Sequence, residues 1–234
     1  MLWGLRPLEP KATYGLAVDS LRRQIHSGLL LPEERLPAER QLSDSFGISR
    51  VTLREALRVL EESQYINVRR GAQGGAFVSD QDRLSKLALR RISRAPAAAM
   101  RVVEYLALNQ VAAARFAAER RNPADLKRLR EALAMMREAR SGPERKQAET
   151  LFHLGLADAS KNPLLARGIE DALADLFLPH GLRAEADSAA EVLDTCARLL
   201  SAVEAEDPDA AGQAAESLAL RLWGALREIT RSAA

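Results

Sequence analysis

The sequence predicts a mainly α-helical chain in two parts, an N-terminal winged helix-turn-helix and a C-terminal antiparallel all-helical bundle. Three observations carry this. Two short amphipathic helices flank a turn centred on Gly47. The apolar period then falls from helical to alternating over residues 65–78, as in a small hairpin. From Asp82 onward the period is helical almost to the end, punctuated by Asn122-Pro123, Gly142-Pro143, Asn162-Pro163 and Asp207-Pro208.

From Tyr14 to Gly28, Val18, Leu21 and Ile25 share one helical face, and Gly28 is placed to end the helix. Leu29 to Pro37 is too short and too broken by proline to be helical. Pro37 suits the first turn of a second helix, roughly Ala38 to Phe46, which Gly47 stops. Ser49 is a good N-cap for a third helix running to about Glu62, with Val51, Leu57 and Leu60 expected to face the first two helices. Tyr65–Val68 and Ala76–Val78 read as strands, and the basic tip Arg69–Gly75 between them makes a wing. These elements place a first domain at 10–80, a linker helix at 81–96 with a basic end (Arg90, Arg91, Arg94), and a bundle of about six helices at 97–232. Its stripes include Leu126, Leu129, Leu133 and Met136, and later Val192, Cys196, Leu199 and Val203.

Apolar residues at 47% and charged residues at 28% are the balance of a globular chain. Aromatic residues are only 4%, so the core must rest on Leu, Ala, Val and Ile. The single cysteine, Cys196, excludes an intramolecular disulfide and suits a reducing compartment. No apolar run approaches the roughly 18 residues of a spanning helix, and the first residues lack the pattern of a signal peptide. A cytoplasmic chain away from membranes is expected. The net charge of +2 does not announce a nucleic-acid partner, so the placement of charge must decide.

That placement is concentrated on the third helix. Arg50, Arg54 and Arg58 recur every fourth residue and share a face. A helix of this shape fits the major groove, where an arginine takes guanine O6 and N7 together. Ser49 and Thr52, at its N-terminus, can reach phosphates or a thymine methyl. A solvated charged face is the alternative for the helix alone; the adjoining turn and basic wing favour double-stranded DNA.

Residues 14–78 then resemble the winged helix of the GntR family. The matching residues are Ala17, Leu21, Ile25 and Gly28, then Leu36-Pro37-Ala38-Glu39-Arg40-Gln41-Leu42, then Gly47-Ile48-Ser49-Arg50-Val51-Thr52-Leu53-Arg54-Glu55-Ala56-Leu57. The resemblance implies that Arg40, Ser49, Arg50, Thr52 and Arg54 contact operator DNA and that Arg70 and Gly71 enter the minor groove. Glu33 and Gln64 stand where the family usually has glycine, which predicts two strained turns.

The helical part is similar to the FCD-type effector domain, through Glu149-Thr150-Leu151-Phe152-His153-Leu154-Gly155-Leu156 and Ala159-Ser160-Lys161-Asn162-Pro163-Leu164. Many such domains hold a divalent metal through one Asp and three His, with an arginine that grips a carboxylate effector. Here Glu149 replaces the aspartate, His153 is retained, and Cys196 and Leu218 stand in the other two histidine positions. Leu106 stands in the arginine position and Gln110 in that of its neighbouring glutamate. The resemblance therefore implies a small-molecule effector but no metal and no cofactor. Glu149, His153 and Cys196 could still bind zinc in principle, although Cys196 on its apolar stripe reads first as core.

Asn109, Arg115, Glu149 and His153 are the polar groups expected to face an effector more apolar than a dicarboxylate. His153 reads equally well as a hydrogen-bonded core histidine, and His180, after Pro179, as a helix-terminal residue without function. The expected whole is a homodimeric repressor on a palindromic operator, released by its effector. An enzyme is disfavoured, because no phosphate loop, nucleophile elbow or H-E-x-x-H motif occurs. A constitutive architectural protein, with a bundle that only dimerises, is the remaining alternative.

Overall fold

The computed structural model describes residues 13–71, 74–179 and 189–232; His180, Ala72 and Gln73 at the wing tip, and the first residues of the 10–80 span lie outside them. Helices α1 (Thr13–His26), α2 (Glu39–Phe46) and α3 (Arg50–Glu62) pack around Leu21, Ile25, Leu42, Leu53, Leu57 and Leu60. Gly47 closes α2 in the left-handed region (φ 63°, ψ 33°), a conformation that glycine adopts without a Cβ penalty. Two residues on, Ser49 Oγ accepts the Thr52 N–H at 3.1 Å and starts α3. Pro37 lies outside α2 rather than in its first turn, because Ala38, with extended backbone, is the capping residue.

The inward stripe of α3 is Leu53, Ala56, Leu57 and Leu60. Val51, expected to face the first two helices, is instead 70% exposed. It sits three and seven residues before Arg54 and Arg58, so helical geometry puts it on their face.

Strands β1 (Ile66–Arg69) and β2 (Gly75–Val78) pair antiparallel, with Ile66 opposite Val78 and Arg69 opposite Gly75. Arg35 adds an antiparallel bridge to Phe77, and the Leu36 N–H donates to the Ala76 carbonyl at 2.9 Å. This third edge is invisible in a segment broken by Pro32 and Pro37. Glu33 (φ 63°) and Gln64 (φ 66°) are both left-handed, as expected where glycine is the usual occupant.

Asp80 caps α4 (Gln81–Arg94), and Pro96 opens α5 (Pro96–Arg120). The remaining helices are α6 (Pro123–Glu138), α7 (Gly142–Ala159), α8 (Pro163–Leu176), α9 (Ala189–Glu204) and α10 (Pro208–Ser232). Asn122 and Ser141 each close a reciprocal capping box, so each proline step works as a helix start. The long α5 runs through the bundle and touches α7, α8, α9 and α10. Its Ala113, Ala114, Ala117 and Ala118 are fully buried, and small side chains let neighbouring helices approach closely. Phe152, Leu129, Leu156, Leu199 and Cys196 fill the space that remains.

The two halves share a seam. Phe177, just after α8, is buried in the core of the winged helix rather than in the bundle. Thr150 Oγ1 donates to the Ser27 carbonyl at 2.6 Å, and Gln147 Nε2 to the Leu29 carbonyl at 2.8 Å. Arg23 and Asp171 form an ion pair across the same seam.

Candidate nucleic-acid interface and effector cluster

On α3 the exposed side chains of Arg50, Arg54 and Arg58 stand together with Val51. Arg54 Nε donates to Glu39 Oε2 at 2.9 Å, which ties the recognition helix to α2. An exposed pair of this kind adds little stability. It does fix the direction of the guanidinium, and among the described residues no bond occupies the two terminal nitrogens. Those are the atoms that would meet a guanine edge. Arg58 is held similarly by Glu62 at 3.1 Å. Ser49 and Thr52 share a hydroxyl contact of 2.8 Å at the N-terminus of α3, where backbone N–H groups favour a phosphate.

Arg40 is exposed on α2, and Arg70 and Gly71 are exposed at the start of the wing tip. Gly71 has φ 106°, a backbone that L side chains rarely adopt. Beside them, Arg69 lies over the Phe77 ring at 4.3 Å, and Arg35 Nη2 donates to the Gly74 carbonyl at 2.6 Å. A cleft of about 360 Å³ separates α2, α3 and the hairpin, lined among others by Arg35, Glu39, Arg54, Arg58 and Arg69. Sequence reasoning placed Arg69 in the basic wing tip but missed Arg35 as part of this surface. The only local signal for Arg35 is its alternation with buried Leu36, which is too short to register.

Of the four residues expected to line an effector pocket, Glu149 and His153 meet, whereas Asn109 and Arg115 lie apart from them. Asn109 is half-buried on the α8 side of α5, and its Nδ2 donates to its own helix at the Tyr105 carbonyl, 2.6 Å away. Arg115 is exposed, lies against Gly212 of α10 and pairs with Asp209 at 3.0 Å. Positions 109 and 115 are six apart on α5, which turns their side chains about 120° from one another. Gln110, one residue from Asn109, points inward instead and meets His153.

That inward cluster is small and buried. Gln110 Nε2 donates to His153 Nδ1 at 3.1 Å, and His153 is 6% exposed. The other ring nitrogen, Nε2, faces Glu149 Oε1 at 3.8 Å. The donor set does not fit the divalent metal that many FCD-type domains hold. Leu218 has no ligand atom, Cys196 lies among Val192, Leu199 and Val203, and among the described residues no three His, Cys, Asp or Glu groups gather.

The seam holds a second buried histidine, which sequence reasoning left unassigned. His26, 4% exposed, places Nδ1 2.9 Å from the Ala174 carbonyl and Nε2 3.0 Å from the Tyr65 hydroxyl. Its ring stacks on Phe177 at 3.8 Å. Burial lowers its pKa from 6.5 to about 3; the bond to Ala174 opposes the shift, and Arg91, Arg22 and Arg23 add to it.

Comparison with known proteins is consistent along the chain. Residues 13–78 match the model described as bacterial regulatory proteins, gntR family, and residues 101–220 match the FCD domain. RmpR, a helix-turn-helix transcriptional regulator of Mycobacterium gastri, is 32% identical over 200 residues, covering 83% of this chain and 73% of its own. The galactonate operon transcriptional repressor of Escherichia coli K12 is 29% identical over 223 residues, covering 91% and 96%. The solved structure of E. coli McbR/YncC superposes with a TM-score of 0.51 at 24% identity, over 93% of this chain and 98% of that one, a likeness of fold.

Proposed function

We propose, from the premise that this chain belongs to the GntR family of bacterial regulatory proteins and carries an FCD domain, that this DNA-binding transcriptional regulator is a homodimeric repressor released by a small molecule held in its helical bundle. The family is one of regulators rather than enzymes. The observation that carries the reading is the exposed face of Arg50, Arg54 and Arg58 on a capped helix beside a basic wing. Arg54 reads bases, Arg40, Ser49, Arg50 and Thr52 hold phosphates or flank the reading edge, and Arg70 and Gly71 enter the minor groove. One recognition helix reads only a few base pairs, so two copies on a short imperfect palindrome supply the specificity. The galactonate relative is a transcriptional repressor.

In the bundle, Gln110, His153 and Glu149 are the polar groups for an effector; Asn109 and Arg115 lie apart from them. Leu106 stands where the resemblance places the arginine that grips a carboxylate, so the ligand is more apolar than a dicarboxylate, with one group that hydrogen-bonds His153. Among the described residues no helix is long and apolar enough to cross a membrane, and the working compartment is the cytoplasm. The domain limits that go with this reading are 10–80, 81–96 and 97–232.

Selection of bound duplexes from a random DNA pool tests the DNA half. The expected outcome is an inverted repeat bound by two chains, with Arg54→Ala losing the enrichment. A monomer on one asymmetric site, or no enriched sequence, overturns it. For the bundle, a thermal-shift screen of metabolites should yield a ligand whose stabilisation disappears in His153→Ala.

A further inference from the structure

A cleft of about 560 Å³ opens where four elements of the two halves meet. Tyr65 of the winged helix and Leu87, Arg90, Arg91 and Arg94 of the linker helix α4 form one side. Ala95, Ala98, Ala99 and Val102 around the start of α5, with Asp175 and Leu176 of α8, form the other. The volume lies within the roughly 300–1,000 Å³ of small-molecule sites. Its chemistry is divided. The floor is aliphatic, with Val102 half-buried and Ile92 and Leu176 buried, while the rim carries three exposed arginines against one aspartate. No hydrogen bond or ion pair occupies Arg90, Arg91 or Arg94 among the described residues, although ion pairs engage many other arginines of the chain. Arg90 and Arg94 are one helical turn apart, so both can close on a single oxyanion.

We propose that this cleft is a ligand site distinct from the Gln110–His153–Glu149 cluster, taking a small amphipathic anion whose carboxylate or phosphate meets Arg90 and Arg94 and whose apolar body lies on Ala98, Val102 and Leu176. A purely ionic ligand leaves the aliphatic floor wet, and a purely apolar one leaves the rim unused. A ligand seated here touches the winged helix and the bundle at once. Tyr65 forms part of the wall and also bonds His26.

Titration calorimetry on the full chain tests the site with octanoate and octyl phosphate, and with inorganic phosphate and 1-octanol as the two halves of the latter. One site per chain is expected for octanoate, octyl phosphate or both, and the preferred head identifies the oxyanion. Each half alone should bind about tenfold more weakly or worse. Arg90→Gln combined with Arg94→Gln, and separately Ala98→Trp, should each weaken binding by about the same factor. These positions are exposed, so the variants keep the fold. His153→Ala should bind as the parent does, which separates this proposal from the bundle effector.

Four results would overturn the proposal: no probe binding, binding indifferent to the cleft variants, or binding lost only in His153→Ala. The fourth is an arginine double variant that keeps its affinity for the probes but shows a shallower salt dependence on DNA, which would make the arginines phosphate contacts instead.

Discussion

Glu33 and Gln64 show how a single residue type carries a backbone consequence. Both occupy left-handed conformations that cost an L side chain energy and cost glycine almost none. Glu33→Gly and Gln64→Gly should each stabilise the protein, by about 0.5–1 kcal/mol after the extra chain entropy of glycine is deducted. Thermal melts of the two variants check this, and an unchanged or lower midpoint would mean that side-chain contacts outweigh the strain. Arg54 carries the second prediction at this scale. Its replacement by Ala should weaken operator binding by about 1–3 kcal/mol. Glu39→Gln removes the charge that orients the guanidinium without touching it, and should cost less. Equal losses in a gel-shift titration would place Glu39 itself at the DNA.

Among the elements, α7 supplies two side-chain hydrogen bonds across the seam. Thr150 is fully buried on this helix and donates to the Ser27 carbonyl of the winged helix. Thr150→Val keeps the shape and leaves that carbonyl without its donor, a loss of about 1–3 kcal/mol. Thr150→Ser retains the hydroxyl and should recover most of it. Urea unfolding of the pair reads the difference, and a Val variant as stable as the parent would remove Thr150 from the seam's energetics. Helix α3 teaches a different lesson. Its ends at Arg50 and Glu62 follow from the Ser49 cap and the apolar stripe, but Val51, apolar and so expected inward, is exposed. The stripe Leu53, Ala56, Leu57 and Leu60 already has the spacing of a buried face, and Val51 is not on it.

For the whole molecule, acid should loosen the docking of the winged helix. His26 is neutral in the fold down to about pH 3, whereas in the unfolded chain it takes up a proton near 6.5. Between those values the unfolded state binds more protons, so stability rises with pH and is lost on acidification. The loss is about 1.4 kcal/mol per pH unit below 6.5, or about 2 kcal/mol at pH 5. His26→Gln should flatten the fall in stability between pH 6.5 and 5, measured by denaturant midpoints. An identical slope in the variant would assign the acid response to other groups. At the same scale, sedimentation should show a dimer in the absence of DNA.

The order of the helices, the hairpin after α3 and the arginine face were legible because each rests on spacing within a few residues. Period, caps, prolines and Gly47 act locally, and local geometry is written in local sequence. The loss of the imidazole set was legible too, since leucine cannot coordinate whatever the fold. Tertiary structure alone decided that Gln110 rather than Asn109 or Arg115 meets His153, because a one-residue step on α5 turns a side chain by about 100°. It alone joined His26 to Tyr65, Ala174 and Phe177, and Tyr65 to Arg90, Arg94 and Val102 around one cleft. Those contacts span long stretches of chain and arise where the packed surfaces of two halves meet, so no periodicity within either half encodes them.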